Sequence, residues 1–136
     1  MKELVIEAKK SNLDAVLSFI DEQLGEAECS KKTRMTIDVA VEELFVNISS
    51  YAYDPKIGTA VVQVSVHNVP LSVEITFIDN GKPYDPLAKP DPDVTLDAEH
   101  RQIGGLGIFM VKKSMDDVQY EYKDGRNILT IKKVLN

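Results

Sequence analysis

The chain is poor in the residues that build disulfides and zinc sites. Its 136 residues include one cysteine, Cys29, and two histidines, His67 and His100. A single cysteine excludes an internal disulfide and fits a reducing cytosol. Two histidines also argue against a zinc site and against a Ser-His-Asp or Cys-His catalytic set. We therefore expect a cytoplasmic protein without a disulfide or a zinc centre.

Long apolar runs and a basic charge balance are missing as well. No apolar run approaches the roughly 20 residues that span a bilayer, and the charges within MKELVIEAKK argue against an export signal. The net charge of -6 argues against a nucleic-acid-binding surface but still allows a local cationic pocket. Hydrophobic residues make up 43% of the chain, enough for a core. The sequence therefore predicts a single domain over residues 1–136 with no nucleic-acid or membrane partner.

Hydrophobic periodicity predicts an α/β fold. Apolar residues recur at helical spacing over residues 12–24, 30–53 and 106–115. Alternating or β-rich segments predict strands at 2–8, 59–66, 71–78, 118–122 and 128–134. Because strands are joined directly by short turns, we predict a two-layer sandwich, a mainly antiparallel sheet with helices on one face.

The sequence also predicts a helix cap, a long loop and the apolar face of the second helix. Ser11 or Asn12 is the predicted N-cap of the first helix. Residues 82–103 hold four of the six prolines and no sustained period, which is typical of a functional loop of lid length or of disorder. The predicted apolar face of the second helix consists of Ile37, Ala40, Val41, Leu44, Ile48 and Tyr51.

The first candidate site is VEELFVN, residues 41–47. Glu43 and Asn47 are four residues apart, so on a helix their side chains share one side, about 6 Å apart along the axis. A carboxylate and a carboxamide so placed can hold hydrated Mg²⁺, which prefers oxygen ligands, and orient a nucleophile. The alternative is that Glu42 and Glu43 are solvated helix residues and Asn47 is incidental.

The second candidate is FIDNGKPYDP, residues 77–86, in which an apolar strand ends at Asp79. Gly81 permits a close approach or a positive φ because it has no side chain. An aspartate beside an apolar pocket can accept a hydrogen bond from a ligand amino group such as adenine N6. The alternative is ordinary turn chemistry at Asp-Asn-Gly.

The third candidate is IGGLGIF, residues 103–109, where three of the seven glycines precede an apolar helix. Free N–H groups and the helix dipole favour an anion there, so Gly104, Gly105 and Gly107 are candidate phosphate contacts. Arg101 can bind a terminal phosphate through two hydrogen bonds. The alternative is a glycine-rich loop before a core helix. The spacing is neither a P-loop nor a dinucleotide fingerprint, and the HRD and DFG signatures are absent.

The order of these segments resembles the ATP-binding fold shared by gyrase, the Hsp90 chaperone, histidine kinases and MutL. An E-x-x-x-N helix, a strand ending in D-x-G, a loop of lid length and a G-G-L-G-I helix follow one another. Within that superfamily, DNGKPYDP, GGLGIFMVKKSMDDV and the small size look most like the bacterial anti-sigma factor serine/threonine kinases. The resemblance covers nearly the whole chain and implies a Bergerat-type ATP-binding fold with residues 82–103 as its lid.

At the phosphate end, the resemblance implies roles for five residues. Asn47 matches the family's Mg²⁺-binding asparagine, and Glu43 matches the catalytic base that activates the attacking hydroxyl. The family's phosphate-binding glycines match Gly104, Gly105 and Gly107.

The resemblance implies four further contacts, three on the adenine side and one at the γ-phosphate. Asp79 matches the aspartate that binds adenine, and Gly81 allows the close approach. Arg101 lies near the position of an arginine that binds the γ-phosphate. Asn127 lies near a position on the adenine side where family members carry a threonine.

The function implied by the resemblance is that of an ATP- and Mg²⁺-dependent serine/threonine kinase. Such a kinase phosphorylates a small anti-sigma antagonist and otherwise sequesters a sigma factor, and family members often form homodimers. Two alternatives stay open on the sequence. One is a nucleotide-gated protein-binding module without phosphotransfer, and the other is a degenerate relative that binds no nucleotide.

Overall fold

The computed structural model describes residues 1–25, 27, 29–88 and 106–135. Within this part, one five-stranded sheet carries helices on one face. This arrangement confirms the predicted α/β sandwich with an antiparallel sheet. No described helix is both long and apolar enough to cross a membrane. The elements are β1 (Lys2–Glu7), α1 (Leu13–Leu24), α2 (Lys31–Asn47), β2 (Thr59–Asn68), β3 (Leu71–Asp79), α3 (Leu106–Ser114), β4 (Asp117–Lys123) and β5 (Arg126–Val134).

The sheet has the strand order β1-β2-β3-β5-β4, and every neighbouring pair is antiparallel. A two-residue turn joins β4 to β5, with Asp124 at φ 54 and Gly125 at φ 75. Positive φ at both central residues matches the right-handed twist of a tight hairpin. Because β5 lies between β3 and β4, the last residue of β3, Asp79, pairs with Asn127 near the start of β5. The register therefore brings these two polar residues to one edge of the sheet.

The core lies between the sheet and the helices. Alternate strand residues such as Val62, Ile75 and Phe77 are buried and belong to one cluster with Val41 and Phe45 of α2. Burial of each side chain of this size stabilises the fold by about 1.5–3 kcal/mol. This cluster fixes α2 against the sheet and so determines where the polar residues of α2 lie.

The two long helices begin differently. The Oγ atom of Ser30 caps α2 by accepting a hydrogen bond from the N–H of Thr33 at 3.1 Å. Asn12, one of the two predicted N-cap residues, is the N-cap of α1, but its side chain makes no capping hydrogen bond and instead donates to the carbonyl of Glu7 at 2.9 Å. A short 3₁₀ turn, Lys10–Asn12, precedes α1 and directs this side chain back toward β1.

The second helix ends earlier than predicted. Regular α-helix stops at Asn47, and a π-helical turn, Ile48–Ala52, follows it. The prediction that Tyr51 belongs to the apolar face is wrong, since this residue is 62% exposed. The wider turn rotates the residues that follow α2 away from the face predicted by a regular period. Phe45 is fully buried although the predicted face did not include it.

The α1–α2 contact brings two carboxyl groups together. Asp21 of α1 and Asp38 of α2 lie close enough for a hydrogen bond between their carboxyl groups, which would require a proton on one of them. In the described part of the chain, the Oδ1 atom of each is buried without a hydrogen-bond partner. Burial, and then the charge of Asp21, raise the pKa of Asp38 to about 6, while Arg34 opposes the shift. The contact is therefore more favourable when one carboxyl group is protonated.

Candidate active site

The C-terminal end of α2 carries the first two candidate residues. Glu43 and Asn47 are both half-buried and lie one helical turn apart. The Nδ2 atom of Asn47 donates a long hydrogen bond of 3.4 Å to Oε1 of Glu43. Because the amide nitrogen of Asn47 faces the Glu43 carboxylate, the amide oxygen of Asn47 can accept a hydrogen bond or bind a cation.

Gly107, the second residue of α3, lies directly against Glu43. A Cβ atom at Gly107 would overlap the Glu43 carboxylate, so this side chain occupies space that only a glycine leaves open. The free N–H groups and the positive end of the α3 dipole lie at the same end of that helix. Gly107 therefore makes room for the Glu43 side chain at an electropositive helix end. The sequence predicts Gly107 only as a phosphate contact and does not predict this packing role.

Asp79 provides the opposite end of the site. It ends β3 and is only 5% exposed. Its Oδ1 atom accepts hydrogen bonds from the N–H of Gly81 and from Nδ2 of Asn127, both at 2.9 Å. A buried carboxylate is costly unless it is hydrogen-bonded, and these two donors offset that cost.

The loop after Asp79 packs tightly against the π-helical turn. A Cβ atom at Gly81 would overlap the backbone carbonyl of Ala52. The same carbonyl accepts a hydrogen bond from the N–H of Lys82 at 2.9 Å. Gly81 is therefore required by a backbone-to-backbone approach that holds the loop beside the end of the long helix.

The Tyr53 side chain connects three segments through hydrogen bonds, a role that the sequence does not predict. Its hydroxyl donates to the carbonyl of Thr59 at 2.6 Å and accepts from the N–H of Asn80 at 2.8 Å. Burial raises the pKa of Tyr53 above its ordinary value, so the hydroxyl remains a donor. The side chain thereby links the turn after α2 to the start of β2 and to the loop that follows Asp79.

A single pocket contains both Asn47 and Asp79. Its walls include the apolar side chains of Leu44, Phe77 and Leu129. Apolar walls with a few well-placed polar groups are typical of sites for small molecules. The pocket therefore combines an apolar lining with the carboxylate of Asp79 and the carboxamide of Asn47.

Glu43, although hydrogen-bonded to Asn47, lines a second space. It lines a groove of about 990 Å³ between α2 and α3. The groove also contains Met35, Val39 and Met110, which are 67%, 59% and 53% exposed. Glu43 can therefore be reached from an open, apolar surface, whereas Asn47 belongs to the pocket with Asp79.

The structure places six of the nine predicted site residues and omits three. Glu43, Asn47 and Gly107 lie together on α2 and α3, and Asp79, Gly81 and Asn127 lie together at the end of β3 and the start of β5. Arg101, Gly104, Gly105 and most of the predicted lid, residues 89–103, lie outside the described residues.

Tyr120 is a further residue of the pocket that the sequence analysis missed. It lines the pocket, and its hydroxyl donates a short hydrogen bond to Oδ1 of Asn127. No sequence signal distinguishes it from Tyr122, which lies two residues further along the same strand. In the β4–β5 register Asn127 lies opposite Tyr122 and Tyr120 lies opposite Leu129, so the Tyr120 hydroxyl reaches Asn127 diagonally across the two strands.

The described residues contain no group of three or more His, Cys, Asp or Glu side chains that could hold a metal ion. The donor set at the end of α2 is a carboxylate and a carboxamide oxygen. Mg²⁺ is commonly held by one or two protein oxygens together with water and substrate phosphates. Glu43 and Asn47 are therefore compatible with a magnesium ion that arrives with a phosphorylated ligand.

Comparison with known proteins identifies relatives that match about three quarters of this chain. The chain is 28% identical to the serine/threonine-protein kinase BtrW of Bordetella bronchiseptica over 102 residues, which cover 75% of this chain and 71% of that protein. It is 31% identical to the serine-protein kinase RsbW of Listeria monocytogenes over 101 residues, which cover 71% of this chain and 63% of that protein.

A solved structure shares the fold, and a family profile identifies the family. The structure of the RsbU and RsbW domains of a Mycobacterium tuberculosis protein matches 99% of this chain and 33% of its own, with a TM-score of 0.69 and 17% identity. This likeness confirms the predicted fold. The profile of the histidine kinase-like ATPase domain matches residues 6–133. The resemblance drawn from the sequence motifs is thus confirmed, and the chain belongs to the histidine kinase-like ATPase domain family.

Proposed function

We propose that this chain is an ATP-dependent serine kinase that phosphorylates a small anti-sigma antagonist protein and otherwise sequesters a sigma factor. The observation that carries the proposal is the position of Glu43. It lies between a pocket that contains Asp79 and Asn47 and an open groove between α2 and α3. A base in that position can reach both a bound nucleotide and a hydroxyl group of a second protein.

The pocket suits an adenine base. Asp79 can accept a hydrogen bond from the adenine amino group, whereas the space that Gly81 leaves open is filled by the backbone of Ala52 and not by the base. The apolar walls formed by Leu44, Phe77 and Leu129 can cover the faces of the ring. Burial of the ring in this pocket favours binding, while the single carboxylate gives directional selectivity.

The other end suits the phosphates and a magnesium ion. Asn47 would hold Mg²⁺ through its amide oxygen, because its amide nitrogen is directed to Glu43. When bound, the ion would neutralise charge on the β- and γ-phosphates. By resemblance, Gly104, Gly105 and Arg101 contribute further phosphate contacts.

Glu43 would act as the general base for phosphotransfer. A serine Oγ of the partner attacks the γ-phosphorus, and its proton passes to the carboxylate of Glu43. The new O–P bond forms as the bond between the γ-phosphorus and the bridging oxygen of ADP breaks, so ADP leaves with that electron pair. The protein contributes positioning and charge stabilisation, which a small domain can supply.

The relatives favour phosphotransfer over the alternative of a module that only binds nucleotide. Two relatives carry names that describe them as serine or serine/threonine kinases, and the three motifs are intact in this sequence. The groove beside Glu43 provides an exposed apolar surface for a protein substrate. The expected homodimer and cytoplasmic location stay predictions.

The test is a phosphotransfer reaction with Mg²⁺ and radiolabelled ATP. The acceptor is a small anti-sigma antagonist protein from the same organism, and mass spectrometry locates the modified residue. We expect one phosphoserine on the antagonist and no transfer when Mg²⁺ is removed with EDTA. An antagonist that binds in an ATP-dependent manner without gaining phosphate would instead establish the nucleotide-gated module.

A further inference from the structure

The side-chain amide of Asn127 uses all four of its hydrogen-bonding positions. Its Nδ2 atom donates to Oδ1 of Asp79 and to the carbonyl of Lys82, both at 2.9 Å. Its Oδ1 atom accepts from the N–H of Tyr84 at 3.1 Å and from the hydroxyl of Tyr120. A flipped amide would set donors against donors and acceptors against acceptors, so one orientation is favoured.

This network determines which oxygen of Asp79 is open to a ligand. In the described part of the chain, both hydrogen bonds to the Asp79 side chain end on Oδ1, from Gly81 and from Asn127. Its Oδ2 atom accepts no hydrogen bond from the described residues and can therefore accept one from a ligand, since Asp79 lines the pocket. A carboxylate oxygen accepts hydrogen bonds and cannot donate them when ionised. The pocket therefore favours a base with an amino group at that position and disfavours one with a carbonyl.

Tyr120 sets the polarity of the network. Its ring packs against the core, and its hydroxyl donates to the oxygen of the Asn127 amide. Burial raises the pKa of Tyr120 above its ordinary value, so the hydroxyl keeps its proton and its role as donor. The amide nitrogen of Asn127 is consequently directed to Asp79. Without the hydroxyl, the amide oxygen loses one of the two donors that hold this orientation.

We propose that Tyr120 and Asn127 are positioning residues that fix the Asp79 carboxylate and thereby set the selectivity of the pocket for a 6-aminopurine nucleotide. The inference rests on the proposed function in that a purine nucleotide is the ligand. It adds two residues that act through Asp79 without contacting the base. Asn127, which the sequence analysis placed among the nucleotide contacts, takes an indirect role because its amide is fully used by protein partners.

The test compares two ligands that differ only in the amino group. ATP and purine riboside triphosphate are titrated by calorimetry, with Mg²⁺, into wild-type protein, Tyr120→Phe and Tyr122→Phe. The last variant is the matched control, since Tyr122 is an exposed tyrosine two positions along on β4. We expect wild type to prefer ATP by roughly 10- to 100-fold, the range for a hydrogen bond to a charged group. Tyr120→Phe should lower that preference by about three- to tenfold, and Tyr122→Phe should leave it unchanged.

Several outcomes would overturn the inference and can be told apart from failure of the proposed function. If Tyr120→Phe weakens both nucleotides equally, or changes neither, Tyr120 does not act on base selectivity. If wild type binds neither nucleotide, the proposed function fails together with the inference. Should Tyr120→Phe not fold, Asn127→Asp provides the test, because it replaces the donor to Asp79 with an oxygen. Its ATP preference should then fall as well, and a preference equal to that of wild type would contradict the inference.

Discussion

The contact between Gly107 and Glu43 gives a prediction in which activity falls while stability is kept. Replacing glycine by alanine within a helix normally stabilises it by about 0.5–1 kcal/mol. The added Cβ would overlap the Glu43 carboxylate. Because a carboxylate at the end of a flexible side chain can swing away, we expect Gly107→Ala to cost little stability.

The displacement of Glu43 should instead appear in the rate. To restore ordinary van der Waals contact, the carboxylate must withdraw by roughly 1 Å or more. A misplacement of that size at a catalytic group can reduce the rate by roughly 100-fold. We therefore expect Gly107→Ala to lose about 10- to 100-fold in single-turnover phosphotransfer, with an unfolding temperature equal to or above that of wild type.

Two controls make this prediction specific. Gly25→Ala adds a Cβ that meets only the carbonyl oxygens of Asp21 and Glu22, at 3.4 and 3.5 Å, so its rate should equal that of wild type. In a Glu43→Gln background, Gly107→Ala should cause little further loss, because both changes act on the same base. Full activity of Gly107→Ala, or additive losses in the double variant, would refute the assigned contact.

Three further predictions concern other contacts of the described chain. Gly81→Ala places a Cβ against the rigid backbone carbonyl of Ala52, so unfolding with urea should show a loss of about 1–3 kcal/mol. Tyr53→Phe removes two hydrogen bonds to backbone groups and should cost about 1–3 kcal/mol in the same assay. Folding raises the pKa of Asp38 from its ordinary value of 3.8 to about 6. Its contribution to stability is therefore present below pH 3.8 and is lost as the pH rises through 6. Because Asp38 is partly exposed and screened by solvent, Asp38→Asn should raise the stability at pH 7 by only about 1 kcal/mol or less. The same change should flatten the dependence of stability on pH, and an unchanged pH profile would contradict the pairing with Asp21.

The fold could be predicted because local signals agree along most of the chain. Alternating strands, a Gly-containing hairpin turn and two amphipathic helices each have a short-range signature. The end of α2 could not be predicted, since no local sequence pattern marks the π-helical turn at Ile48–Ala52, which packs against the loop around Gly81. The predicted face consequently included Tyr51, which is exposed.

The candidate site was predictable where its residues lie close together in sequence. Glu43 and Asn47 are four residues apart on one helix, and Gly81 follows Asp79 within one turn. Tyr120 could not be found in this way, because its contact depends on the β4–β5 register. The role of Gly107 was likewise hidden, since it depends on how α3 packs against α2.

The most direct test of Glu43 as the catalytic base is a comparison of Glu43→Gln with Glu42→Gln. The two variants remove one negative charge each from neighbouring positions of α2, and Glu42 is exposed. Each is measured for ATP affinity by calorimetry and for single-turnover phosphotransfer to the antagonist. We expect Glu43→Gln to bind ATP within about threefold of wild type and to lose phosphotransfer by roughly 100-fold or more, whereas Glu42→Gln keeps both. Phosphotransfer by Glu43→Gln at the wild-type rate would contradict the assignment of the base.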